Sequence, residues 1–205
     1  MILIGSAYYS WTYISITNIL LLPAVIGGFI VAIITIRKKE WAPITVPIYG
    51  VFQGIFLGII SNVFNTMYDG IVITAISYTL CILFALLSVY RLGLIKPTEN
   101  FKLGLAAATG GIAIVYLANF IMGFFGSGIP LMDINNSSMY SIGFSVFVIV
   151  IASMNLVVDF DFIEEGAEKG APKYMEWYGA FGLMVTLVWL YLEILKLLAK
   201  MNSRK

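Results

Sequence analysis

The amino-acid sequence predicts an all-α polytopic membrane protein, a bundle of about seven transmembrane helices. Three observations predict it. Of 205 residues, 60% are hydrophobic and only 11% are charged. Soluble domains carry about 25% charged residues, whereas a charge at the centre of a membrane helix costs roughly 2.5–3.5 kcal/mol. The charges gather in a few short segments, leaving apolar runs of the length a bilayer requires, about 20 residues. No soluble domain, linker or low-complexity tract interrupts the pattern, so residues 1–205 read as a single integral membrane domain.

The first segment, 2–16 (ILIGSAYYSWTYISI), is short and rich in tyrosine, either a clipped span or an interfacial helix. No Lys or Arg precedes it and another apolar segment follows at once, so it does not read as a secretory signal. The second, 18–36, ends at Arg37, Lys38 and Lys39. The third, 43–64, is opened by Pro43 and Pro47, which suit a first helical turn. Residues 65–69 predict a tight turn, and the fourth segment covers 70–90. A polar connection at 91–102 (RLGLIKPTENFK) leads to the fifth, 103–125. Turn residues fill 126–138 (GSGIPLMDINNSS) before the sixth, 139–162. The most charged connection, 163–176 (IEEGAEKGAPKYME), precedes the seventh, 177–200. Trp11, Trp41 and Trp177 stand near segment ends, where aromatic belts form. Gly54 and Gly58 make a GxxxG pattern, expected to pack helices within the bundle.

Orientation follows the basic residues. With seven spans, one face receives Arg37, Lys38, Lys39, Arg91, Lys96, Lys102, Lys169 and Lys173. The two opposite loops hold no Lys or Arg. The basic face is expected to be cytoplasmic, together with the N-terminus. Lys196, Lys200, Arg204 and Lys205 run against this, because seven full spans carry them to the far side.

Composition also excludes function classes. The net charge is +1, with no histidine and one cysteine, Cys81. Nucleic-acid binding would call for a basic stripe, so none is expected. Disulfide frameworks, the common zinc sets, histidine-ligated haem and Ser-His or Cys-His nucleophiles are unavailable to such a chain. There is no HExxH, and Asp159 with Asp161 matches no aspartyl-protease motif, so the protein is expected not to be an enzyme. Cys81, in an apolar run, reads as a small hydrophobe.

In a bilayer the informative residues are polar ones at depth. The sixth segment holds Asn155 and Asp159, four apart and therefore on one helix face. Asp161 points about 200° further round. Carboxylates are hard ligands suited to Ca²⁺, and two close ones can share a proton and respond to pH. Glu164, Glu165 and Glu168 read as a solvated helix end. Glu193 lies in WLYLEILKLL, either paired with Lys196 or functional, with Thr186 one heptad earlier on the same face. Glu176 opens the last helix, where a carboxylate complements the helix dipole. Gln53, Asn62 and Asn119 are expected to make interhelical hydrogen bonds.

The words NLVVDFDFIEEG and APKYMEWYGAFGLMVTLVWLYLEILKLL, with PITVPIYGVFQGIFLG and FKLGLAAATGGIAIVYL, resemble the Bax inhibitor-1 family, more narrowly its bacterial YccA-like branch. The resemblance covers nearly the whole chain and is most specific at the C-terminal motif. It implies seven helices around a central seventh, in a bacterial inner membrane. It implies a pH-sensitive cation leak, chiefly of Ca²⁺ bound transiently and without other cofactors. The partners would be the lipid bilayer, cations, protons and other membrane proteins.

The family's leak is linked to one acid near the end of the sixth helix and one on the seventh. The first matches Asp159, with Ile163 in the D-x-x-x-I pattern. For the second, the word LYLE points to Glu193, while alignment by helix start points to Thr186. Glu193 lies about 25 Å along the helix from Glu176, so Asp161 or Glu176 are the other choices for a partner of Asp159. Arg37 is the match for a basic residue that pairs with the sixth-helix acid. The alternative function is a non-transporting membrane regulator that binds partner proteins or a membrane protease.

Overall fold

A computed structural model describes residues 1–13, 18–126 and 128–204. The end of the predicted first segment, 14–16, Ser127 in the 126–138 loop, and Lys205 lie outside the described residues. The fold is all-α: seven α-helices and no strand among the described residues. They are α1 (Ile2–Thr12), α2 (Leu21–Arg37), α3 (Ala42–Met67), α4 (Ile71–Arg91), α5 (Glu99–Phe124), α6 (Met139–Glu168) and α7 (Tyr174–Asn202). The last five are long and apolar enough to cross a membrane. The 11 residues of α1 span about 16 Å and the 17 of α2 about 26 Å, against a hydrocarbon core of about 30 Å. The chain is an integral membrane protein, and the described helix of its first segment is shorter than a full span.

The boundaries differ from the sequence pattern for local reasons. α5 starts one turn earlier than 103 because Thr98 caps it, its hydroxyl accepting from the Phe101 amide at 3.3 Å. α6 runs on to Glu168, so Glu164, Glu165 and Glu168 are helical. Gly170, at φ +62°, ends that helix, and the Ala171 amide returns to the Gly166 carbonyl. Pro43 lies in the first turn of α3, but Pro47 sits inside the helix, leaving the Pro43 carbonyl without its helical donor. Gly70, at φ +75°, makes the turn into α4.

The chain forms two compact units: Met1–Asp69 with Glu165–Gly182, and Gly70–Glu164 with Leu183–Lys205. In the first, α1 lies against α3 through small residues. A Cβ on Gly54 would overlap the Ser6 hydroxyl, and one on Gly58 the Ala7 carbonyl. The GxxxG pair therefore admits α1 itself at backbone distance. Because Leu3 and Ser6 sit at Gly54 while Ala7 and Ser10 sit at Gly58, α1 runs parallel to α3, beside its middle and second half. α2 is tied to α3 by the Thr35 hydroxyl, which donates to that of Thr45 at 2.8 Å. Tyr49 of α3 packs edge-on against Phe181 of α7.

In the second unit three helices matter for the site. Lys102 pairs with Asp161, and Asn155 bonds Thr109, so α5 and α6 are antiparallel. Thr186 stands beside Asp159 and Lys200 beside Ser145, so α7 from Thr186 to Lys200 is antiparallel to α6. Ala152 and Leu156 of α6 and Leu190 and Leu195 of α7 are all fully buried.

Candidate functional site

Asp159 is placed by the α6–α7 seam. It follows the buried Leu156 and Val157, and its face of α6 packs on Thr186. The Thr186 side chain stands beside the carboxyl group. The second oxygen, Oδ2, is buried and has no hydrogen-bond partner among the described residues. Burying a carboxyl oxygen without a partner is costly in an apolar seam. Such an atom calls for a proton, a cation or a movable donor, which is why orphaned polar atoms mark function.

One turn deeper, the Asn155 amide donates to the Thr109 hydroxyl at 2.9 Å and to the Ile151 carbonyl at 2.8 Å. Asn155 therefore links α6 to α5 on the face that Asp159 shares. Asp161 turns away, as its helix position requires. Its Oδ2 lies 2.7 Å from the Lys102 Nζ, which also holds Glu99 at 3.1 Å. Nearby, the Tyr90 hydroxyl donates to Glu164, fastening α4 to the end of α6.

Glu193 is seven residues beyond Thr186, about 10 Å further along α7. The carboxylate is 2% exposed and takes the Lys196 ammonium at 2.9 Å. The Tyr116 side chain of α5 stands beside the same carboxylate, and its ring lies 4.8 Å from the Lys196 Nζ. These groups, with Asn119, Met132, Phe144, Ser145 and Lys200, line a cavity of about 210 Å³. The structure thus brings Thr186 to Asp159, and gives Glu193 a separate cationic surrounding. Glu176 is exposed in the first turn of α7, and Arg37, the last residue of α2, is also exposed; both belong to the first unit.

Several participants escaped the sequence reading. Lys102, Thr109 and Tyr116 all lie on α5, whose polar residues recur at seven-residue steps, and that spacing was the available signal. Asn119 accepts from the Ile129 amide at 2.8 Å and so holds a loop rather than a helix. Among the described residues no three acidic or cysteine side chains converge as a metal-ligand set. The oxygens of Asp159 and Thr186 are hard donors that could supply part of a Ca²⁺ shell, with the remainder from water or backbone.

A family model described as Bax inhibitor 1 like matches residues 1–203. No curated protein and no solved structure matches the chain.

Proposed function

The chain belongs to the Bax inhibitor 1 like family, and from that premise we propose that it is a pH-sensitive cation leak, chiefly for Ca²⁺, with Asp159 at its closure point. One observation carries the reading: the partnerless, buried Oδ2 of Asp159 in the α6–α7 seam. A carboxyl group so placed has two states with different demands. Ionised, it attracts a cation or a basic side chain; protonated, it is a neutral donor. Each state favours a different packing of the helices around it, and pH shifts their populations.

In this reading Thr186 sets a neutral hydroxyl beside Asp159 where a second acid would share a proton. Asn155 steadies the same face of α6, and Arg37 is the residue that matches the family's basic group. Glu193 is a second buried carboxylate, occupied by Lys196, while Asp161 and Glu176 are peripheral acids. The protein performs no chemistry on a substrate and carries no cofactor beyond the passing ion.

We place the eight loop cations on the cytoplasmic side of a bacterial inner membrane, with the N-terminus directed the same way. The parallel run of α1 beside α3 supports that direction, as does the internal use of Lys196 and Lys200, which removes them from the count of loop charges.

The test is cation flux in proteoliposomes across pH. Asp159→Asn cannot ionise, so its flux is expected to lose most of its pH dependence. Flux that is the same at every pH in the unaltered protein, or a full pH response in Asp159→Asn, overturns the reading. A regulator that binds partner proteins is the second reading, favoured by the exposed charges of Glu168, Lys169, Lys173 and Glu176. No flux, together with a partner lost when 163–176 is exchanged, would select it.

A further inference from the structure

The cavity around Glu193 carries an excess of positive charge. Two ammonium groups, Lys196 and Lys200, face one carboxylate, a local net charge of +1. The other charged group that acts on Lys200 is Asp133, exposed in the loop before α6. The two lysines are used differently. Lys200 is 2% exposed and donates to the Leu131 carbonyl, the Ser141 carbonyl and the Ser145 hydroxyl. Its three protons are committed. Lys196 keeps a side chain 37% exposed and, among the described residues, pairs with Glu193 alone.

We propose that Lys196 is a charge barrier: it occupies the buried Glu193 carboxylate as a tethered counter-ion and, with Lys200, keeps divalent cations out of this cavity. Three observations converge on it. The Lys196 Nζ sits 2.9 Å from Glu193 Oε1, where a coordinated cation would otherwise stand. The Tyr116 ring face holds the same ammonium, orienting it toward the carboxylate. The cavity also offers neutral oxygens from Tyr116, Asn119 and Ser145, a donor set suited to a hard cation once the ammonium is gone. A side chain three residues away on the same helix acts at an effective concentration of roughly millimolar or higher. A free cation has to displace it and enter against the charge of Lys200 as well.

For transport, this rests on the cation-leak reading, in which the barrier throttles divalent flux beyond Asp159. The binding consequence stands independently of it. The experiment titrates the purified full chain with Tb³⁺, a luminescent stand-in for Ca²⁺ that Tyr116 can sensitise, and compares each protein with its Glu193→Gln counterpart. The unaltered protein and Lys196→Arg are expected to show no Glu193-dependent signal. Lys196→Met and Lys196→Gln lower the cavity charge by one unit, so both are expected to bind about tenfold more tightly or better. Adding Glu193→Gln should abolish that gain.

A Lys196→Met or Lys196→Gln protein that elutes and melts like the unaltered one, yet titrates identically, overturns the proposal. So does a gain that survives Glu193→Gln. Ca²⁺ flux in proteoliposomes separates the two readings. Flux with a flat Tb³⁺ response removes the barrier alone. A Glu193-dependent Tb³⁺ gain without flux from any variant removes the leak and leaves the barrier standing.

Discussion

The Lys200 ammonium donates to the Leu131 carbonyl at 2.8 Å, so the last turns of α7 hold the loop between α5 and α6. The same carbonyl accepts from the Ser141 hydroxyl at 2.9 Å, and the Asn119 side chain takes the Ile129 amide. One residue from each of three helices thus fixes a short stretch of backbone that has no secondary-structure ladder of its own. A lysine buried this way is affordable only because every proton finds an oxygen.

Lys200→Met keeps the length of the side chain and removes all three donors. It leaves the Ser141 carbonyl and the Ser145 hydroxyl without this partner, so a loss of about 1–3 kcal/mol in stability is expected. Amide exchange at Ile129–Met132 should quicken more than exchange in α3. Unchanged exchange in this loop would show that Ser141 and Asn119 hold it without the lysine.

The close approach of α1 to α3 gives a second expectation. Gly58→Leu places a branched side chain where the Ala7 carbonyl lies. Backbone cannot yield as a flexible side chain does, so α1 must leave the face of α3. Overpacking of this kind costs roughly 1–3 kcal/mol or more. Proteolysis within Ile2–Thr12 should become faster, while the detergent-solubilised oligomeric state stays the same. A change of oligomeric state with α1 still protected would mean that the glycines serve contacts between chains.

Much of this was legible in the sequence, and the exceptions have physical causes. Hydropathy located all seven helices, because burial in lipid demands long uncharged runs regardless of detail. It left the first segment open between a clipped span and an interfacial helix, since an apolar run does not report whether its helix is long enough to cross. Helix ends were misplaced wherever a cap decided them, as at Thr98 and Gly170. Spacing along α6 separated the faces of Asp159 and Asp161 correctly, because 100° per residue is fixed by backbone geometry. It could not choose between Thr186 and Glu193, which share a face one heptad apart. That choice depends on how far α7 slides along α6, and the register is set by contacts such as Lys200 with Ser145, distant in sequence. Of the C-terminal cations that run against the charge rule, Lys196 and Lys200 make internal contacts, with Glu193 and with Leu131, Ser141 and Ser145, which a sequence does not reveal.

The Lys102–Asp161 pair tests how far the acid cluster is structural. Asp161 is 25% exposed and Lys102 26%, so solvent screens the interaction. Lys102→Met and Asp161→Asn should each lower the thermal midpoint slightly, and the double variant no further than the larger single effect. The difference should shrink in 1 M salt. If Asp161→Asn instead abolishes the pH response of flux while Asp159→Asn leaves it intact, the two acids exchange roles.

Thr186 is the residue that decides what kind of site Asp159 forms. Its side chain stands beside the carboxyl group, and an acid in its place would meet Asp159 across the α6–α7 seam. Two carboxyl groups at that separation cannot both ionise readily, so they share a proton and titrate as a pair. Thr186→Asp is therefore expected to convert a single titration into a coupled one, widening the pH range over which flux changes. Thr186→Val removes the hydroxyl that stands beside Asp159 and keeps the shape, at a cost of about 1 kcal/mol. Flux against pH for the two variants, read beside Asp159→Asn, distinguishes the effects. An identical pH profile in Thr186→Asp and the unaltered protein would mean that position 186 does not face the ionising group when the path conducts.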